Sequence, residues 1–188
     1  GTGLDGNGSH GTAVYFDGAQ SVTPLEYASS GAGPKDGIQL DYAMGGFAVS
    51  AMNTDDNSGV SATYSMDGLS FGVAYQQDDA AGDDDTLTVV GATYAINAFT
   101  VGAAYAVADV AATAGDGTKW SVNGAYAYNE ALSVSAFFAS EDNGGVTDGE
   151  SYGVSVSRAI GGGVTAVAGF EQDAAEVNYL SAGVTMNF

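Results

Sequence analysis

From Gly37 to the end of the chain, apolar and small polar residues alternate with a period of two, and two-residue turn signals break the alternation at intervals. A period of two puts successive side chains on opposite faces of an extended strand, and no stretch carries the 3.6-residue stripe of an amphipathic helix. Strands and turns are therefore expected throughout. The clearest unit has Val60, Ala62, Tyr64 and Met66 on one face, a turn at Asp67-Gly68, then Leu69, Phe71, Val73 and Tyr75 on the same face. Ser61, Thr63, Ser65, Ser70, Gly72 and Ala74 fall on the other. Asp-Gly between alternating runs is a strong signal for a tight hairpin.

The unit recurs along the chain. Ile38, Leu40, Tyr42 and Met44 turn at Gly45-Gly46 into Phe47 and Val49; Val90, Ala92, Tyr94 and Ile96 turn at Asn97-Ala98 into Phe99, Val101, Ala103 and Tyr105. Looser copies place Trp120, Val122, Tyr126 and Tyr128 before a turn at Asn129-Glu130, and Tyr152, Val154 and Val156 before one near Gly161-Gly162. With a last strand bearing Leu180, Ala182, Val184, Met186 and Phe188, about eleven strands are predicted. Between hairpins run longer polar links at 54–58, 77–85, 108–118, 141–149 and 171–176. Tight turns at one end and long loops at the other are the asymmetry of a barrel that crosses a membrane.

Charge follows the same division. Asp55, Asp56, Asp78, Asp79, Asp83, Asp84, Asp85, Asp109, Asp116, Glu141, Asp142, Asp148, Glu150, Glu171, Asp173 and Glu176 lie in the long links or at their edges, and the apolar faces carry no acid. A lipid-facing Lys or Arg near mid-bilayer costs about 2–4 kcal/mol, and Asp or Glu less, so a surface against lipid excludes them at depth. Aromatics also sort by height. Tyr42, Phe47, Tyr64, Tyr94, Phe99, Tyr126 and Tyr128 flank the short turns, whereas Tyr75, Tyr105, Trp120, Phe138, Tyr152 and Phe170 lie nearer the long links. Phe99 and Tyr105 are separated by about 20 Å of extended chain, close to the roughly 25 Å apolar band of membrane barrels.

The other face is built from Gln39, Asp41, Ser61, Thr63, Thr93, Thr100, Ser121, Asn123, Ser133, Ser135, Thr165, Ser181 and Thr185. These suit a wet lumen, because a dry core would leave their hydroxyls and amides unpaired. One alternative stays open, an acidic secreted or surface β-protein such as an adhesin, whose apolar face packs on a second sheet. Loop asymmetry and the two aromatic levels favour the barrel.

Composition removes other classes. A chain of 188 residues suits one domain. With 23 acidic residues against three basic and a formal charge of −20, it lacks the cations from which nucleic-acid binding draws its affinity. No cysteine is present, so there is no disulfide, thiolate metal site or thiol nucleophile, and no apolar run is long enough for a spanning helix. No signal-peptide pattern opens the chain, as expected of a processed protein or a piece of a longer one. The single histidine, His10, has no second histidine for a metal site or nucleophile–base pair; no catalytic residue and no enzyme activity are expected. Gly161-Gly162-Gly163 lacks the lysine and helix of a phosphate loop and reads as a turn. Asp83-Asp84-Asp85 could collect Ca²⁺, which favours carboxylate oxygens, but no EF-hand or β-roll spacing accompanies it; no cofactor is required.

The ordered hairpins from Gly37 onward, and the terminal Leu180-x-Ala182-x-Val184-x-Met186-x-Phe188, resemble the sixteen-stranded general porins of the bacterial outer membrane, of the alphaproteobacterial type. The resemblance implies an all-β, antiparallel up-and-down barrel, passive diffusion of small hydrophilic solutes and ions, a homotrimer, and a bilayer with lipopolysaccharide as surroundings. It implies that Leu180, Val184, Met186 and Phe188 form the signal read by the insertion machinery. Tyr42, Phe47, Tyr64, Tyr94, Phe99, Tyr126, Tyr105, Trp120 and Tyr152 become the lipid-facing girdles.

Counted back from the end, the Gly37 strand corresponds to the sixth of such a barrel, so the first third is absent. Residues 1–36 look like the loop that folds into the pore, and Asp5, Asp17, Glu26, Lys35, Asp36 and Asp41 become candidates for the constriction; residues 37–188 form the wall. A shorter barrel, with 12–16 as a further strand, is the other arrangement. The arginines that face loop carboxylates in such a pore have no counterpart here, where Lys35, Lys119 and Arg158 are the basic residues. Acidic loops would concentrate cations at the mouth.

Overall fold

The computed structural model describes residues 37–54, 57–78, 85–109, 117–142 and 149–186. They form eleven strands: β1 (Gly37–Met44), β2 (Phe47–Thr54), β3 (Asn57–Met66), β4 (Leu69–Asp78), β5 (Asp85–Ile96), β6 (Phe99–Asp109), β7 (Gly117–Asn129), β8 (Leu132–Asp142), β9 (Gly149–Gly161), β10 (Val164–Gln172) and β11 (Asn178–Met186). Each pairs antiparallel with its neighbour in sequence, giving one sheet in the order β1 to β11. The expected all-β, up-and-down architecture is the one observed. Among the described residues no helix is long and apolar enough to cross a membrane.

Short turns join β1 to β2, β3 to β4, β5 to β6, β7 to β8 and β9 to β10. Asp67 and Gly68 have φ of 47° and 82°, so both central residues of that turn are left-handed, matching the twist of the flanking strands. The turns also bond to one another's strands. Ser65 N–H donates to the Gly46 carbonyl at 2.7 Å, Ala95 to Gly68 at 2.8 Å, Ala127 to Ala98 at 2.8 Å and Ala159 to Ala131 at 2.7 Å. The same bond recurs at each of the four boundaries between successive hairpins, so a carbonyl left over by one turn is satisfied by the next hairpin.

Two expected turns sit one residue later than their sequence signals. The pairing of β7 with β8 shifts between Ala127 and Asn129, so Tyr128 is an extra residue and the strand runs on through Asn129. Asn129 Oδ1 then accepts the Ala131 N–H at 2.9 Å and closes a Glu130-Ala131 turn. A second shift between Val164 and Thr165 carries β9 through Gly161, and the turn is Gly162-Gly163.

The register fixes a tilt. A row followed straight across the ladder starts at Met44, beside a short turn, and passes through Phe47, Tyr64, Phe71, Ala92, Ala103, Val122, Phe138 and Tyr152 to Gln172. Gln172 ends β10, eight residues above Val164 and at the opposite end of the sheet from the short turns. Climbing about 26 Å while crossing nine steps of about 4.8 Å inclines the strands by roughly 30° if the turns share a level. Closed barrels need a tilt of about 35–45°. No pairing between β1 and β11 occurs among the described residues, so both strands are edges.

Gly68 tolerates no side chain easily, since an added Cβ would meet the Ala95 carbonyl oxygen at 2.4 Å and the backbone is already left-handed. Gly68→Ala is expected to destabilise the folded protein by about 1–3 kcal/mol. Urea unfolding in lipid vesicles measures this, and Asp67→Asn, which keeps a residue suited to left-handed φ, should leave the midpoint near the parent's.

Candidate functional site

Among the described residues the curved sheet is a single layer with no second layer to pack on, so the sequence must make each face compatible with its own solvent. The convex face is apolar. Tyr42, Phe47, Tyr64, Tyr94, Phe99 and Tyr126 near the short turns, and Tyr105, Trp120 and Tyr152 nearer the other end, are all exposed on it, with Val101, Val122 and Val154 between. Ile38, Leu40, Leu180, Val184 and Met186 extend the same surface to both edge strands. Val101 at 50% and Val154 at 53% exposure would be costly in water. The aromatics meet across strands: ring centroids are 4.6 Å apart for Phe99 and Tyr126, 5.3 Å for Trp120 and Phe138, and 6.4 Å for Tyr152 and Phe170. Tyr42 and Tyr64 donate their hydroxyls to Met44 Sδ and Met66 Sδ, each at 3.3 Å.

Arg158 is the described cation on this face. It pairs in register with Leu132, the first residue of β8, and so stands at the level of the short turns. There the cost of a basic side chain falls to about 0–1 kcal/mol, against about 2–4 at mid-bilayer.

On the concave face small residues predominate and curvature crowds them. Ala104, Ala106, Ser121, Ala139 and Ser151 are buried although only one layer is present. Asn123 lies over Gly102, where an added Cβ would meet its Nδ2 at 2.7 Å, and Phe137 lies over Gly153, where a Cβ would meet its ring at 2.5 Å. The glycines make room for the larger side chains of the next strand. Phe137 was hidden from sequence reading, because in Phe137-Phe138 only one ring can face outward, and the pattern does not show what accommodates the other. The Gln76 and Asn123 side-chain nitrogens are buried without a hydrogen-bond partner among the described residues.

Of the constriction candidates, Asp41 is described and faces the concave side, where Gln39 Nε2 donates to Asp41 Oδ1 at 3.0 Å, to Oδ2 at 2.9 Å and to Ser50 Oγ at 3.4 Å. Asp5, Asp17, Glu26, Lys35 and Asp36 lie outside the described residues, as do His10, Asp83, Asp84 and the terminal Phe188. Asp85 opens β5, with its side chain outside the description. Among the described residues no group of three His, Asp or Glu side chains gathers as metal ligands would.

The structure corrects the reading of several polar residues. Asp109, Glu141, Asp142, Glu150 and Glu171, expected in the links or at their edges, lie in β6, β8, β9 and β10, because the ladders continue past the last apolar residue of each strand. Glu141 and Glu171 fall on the concave parity, as does Lys119 of β7, whereas Asp109, Asp142 and Glu150 fall on the convex parity at the long-loop end, so the apolar face does carry acids there. Lys119 and Glu141 are register partners, their Nζ and Oε2 2.6 Å apart.

At the β10–β11 end Asp173 organises a five-residue loop. Its Oδ1 accepts the N–H groups of Ala175 and Val177 at 2.9 Å, its Oδ2 accepts the Tyr179 hydroxyl at 2.9 Å, and Glu176 N–H reaches the Asp173 carbonyl at 3.0 Å. These bonds favour the ionised form. The Val177 N–H, with help from Tyr179 and Ala175, holds the Asp173 carboxyl below its ordinary pKa.

An antiparallel sheet of this length, apolar and aromatic outside and small and polar inside, with tight turns at one end, belongs to the class of outer-membrane β-barrels. A family model for Gram-negative porins matches residues 1–178, and the chain belongs to that family of the bacterial outer membrane. A triple mutant of the Rhodopseudomonas blastica porin is 28% identical with a TM-score of 0.66, covering 81% of this chain and 55% of that one. A further mutant of the same porin, 26% identical, gives a TM-score of 0.66 and the same coverages. A structure described as "Asymmetric conductivity of engineered proteins" is 25% identical with a TM-score of 0.69, covering 92% of this chain and 62% of that one. The chain thus spans 55% of the length of the Rhodopseudomonas blastica porins it matches. No curated protein matches it significantly.

Two outcomes test the faces and the loop. Val154→Arg, in the middle of the convex face, is expected to lower stability in a bilayer by about 2–4 kcal/mol, whereas Ser133→Arg on the concave face stays near the parent, read from urea titrations in vesicles. The carboxylate bonds of Asp173 stabilise the loop above the ordinary carboxylate pKa and are lost as pH falls through the lowered value. The stability gap between the parent and Asp173→Ala should therefore be present at neutral pH and close in strong acid, as followed by thermal melts in detergent.

Proposed function

We propose that these strands form much of the wall of a passive diffusion pore for small hydrophilic solutes and ions in the outer membrane. The observation that carries this reading is the one-layer sheet whose faces differ throughout: convex side chains suit lipid and concave ones suit water. A water-filled lumen would satisfy the buried amides of Gln76 and Asn123, and the hydroxyls of the Ser and Thr rows, at little cost. The edges of β1 and β11 cannot face hydrocarbon unpaired, so further strands close the barrel, sixteen in all, in the complete protein. Residues 1–36, with Asp5, Asp17, Glu26, Lys35 and Asp36, form the constriction loop opposite Asp41.

The pore assembles as a homotrimer. Its outer rim, rich in carboxylates, meets lipopolysaccharide through divalent ions, and the loop around Asp83, Asp84 and Asp85 offers oxygens to Ca²⁺. Leu180, Val184, Met186 and Phe188 are read by the insertion machinery. Reconstitution of the full-length protein in planar bilayers tests the central claim. Stepwise, ohmic conductance increments and heat-modifiable gel mobility are expected. A protein extracted without detergent that leaves bilayers non-conducting would instead be an acidic surface β-protein.

A further inference from the structure

Charge on the described concave face is sparse and placed at its ends. One cross-strand row runs from Asp41 through Ser50, Ser61, Ala74, Val89 and Ala106 to Lys119, and then to Glu141 and Gly149. Because the strands are inclined, this row climbs from near the short turns at Asp41 to the long-loop end at Glu141. Between Asp41 and Lys119 it carries no charge. Lys119 is the inward cation among the described side chains, and its ammonium is held 2.6 Å from Glu141, with side-chain exposures of 33% and 21%. Beneath the pair, Ser121 and Ala139 are register partners and both buried. Ala106 and Gly149 flank it on β6 and β9, so no other described charge stands beside it on the concave face of the neighbouring strands; Asp142 and Glu150 are on the convex parity.

Partial exposure means that this pair adds little to stability. Its effect lies in the field it cancels. Two opposite charges in contact present almost no net charge to an ion passing in the lumen, whereas either one alone would act through water over about 10 Å at 0.1 M salt. Lys119 masks a carboxylate that would otherwise favour cations at the outer half of the wall, and Glu141 masks an ammonium that would favour anions.

We propose that the Lys119–Glu141 pair is a selectivity element of the pore. It neutralises the outer end of this cross-strand row and leaves Asp41, at the row's other end, as the row's remaining charge. The proposal rests on the pore reading above.

The test is the reversal potential of the full-length protein in planar bilayers under a KCl gradient. Lys119→Gln should raise the cation-to-anion permeability ratio about twofold at 0.1 M salt, and Glu141→Gln should lower it by a similar factor. The double variant, which exchanges a neutral pair for a neutral pair, should return close to the parent. Lys119→Arg and Glu141→Asp keep the charges and should not move the ratio, and heat-modifiable mobility confirms that each variant is folded. Single variants that both leave the ratio unchanged, that shift it in the same direction, or that the double variant fails to cancel would overturn the proposal while the pore itself stands. Absence of conductance in the parent protein would remove the pore reading and the proposal together.

Discussion

Every strand hands its backbone hydrogen bonds to the strand next to it in sequence, and the rest of the structure depends on that. In hydrocarbon no water replaces a missing partner, so a strand can lie there only when both of its edges are paired. The register also fixes chemistry. Side chains repeat every two residues, so a slip of one residue would turn Tyr64, Phe71 and Val90 inward and Thr63, Gly72 and Gly91 out to lipid. The bonds from Ser65, Ala95, Ala127 and Ala159 to the preceding turns lock each hairpin against the next at the end where loops are too short to absorb a slip.

Curvature makes the two faces unequal. Outward side chains splay apart and large rings fit, while inward ones converge, and Gly102 and Gly153 leave room for Asn123 and Phe137. The two bulges sit near the short turns at the ends of β7 and β9, where an extra residue lets a strand turn without disturbing the ladder above it. At the other end, charge enters the strands only in their last residues, where Lys119 and Glu141 face each other with water available on the concave side.

Much of this was legible in the residues, because hairpin signals and period-two alternation are local. The Asp67-Gly68 turn, the eleven strands and the outward placement of Tyr94, Phe99, Tyr105 and Trp120 follow from positions within one or two hairpins. Strand ends were less legible. Glu141 and Glu171 read as loop acids because a charge after an apolar run resembles a loop, yet the ladder continues wherever the neighbouring strand is long enough to pair with it. The extra residue at Tyr128 left no mark in the pattern, since Tyr126-x-Tyr128 alternates correctly and the bulge depends on where β8 begins.

The sequence by itself determined that the chain must be a two-faced antiparallel sheet with its acids gathered toward one end, since alternation and turn chemistry act over a few residues. Only the tertiary structure decided which charges stand opposite one another. The incline of the strands, set by the sum of many registers, places Asp41 and Glu141 on one row at different heights, and the pairing of β7 with β8 brings Lys119 to Glu141. Register is a relation between strands, and a distance between two side chains on different strands has no local signature in either.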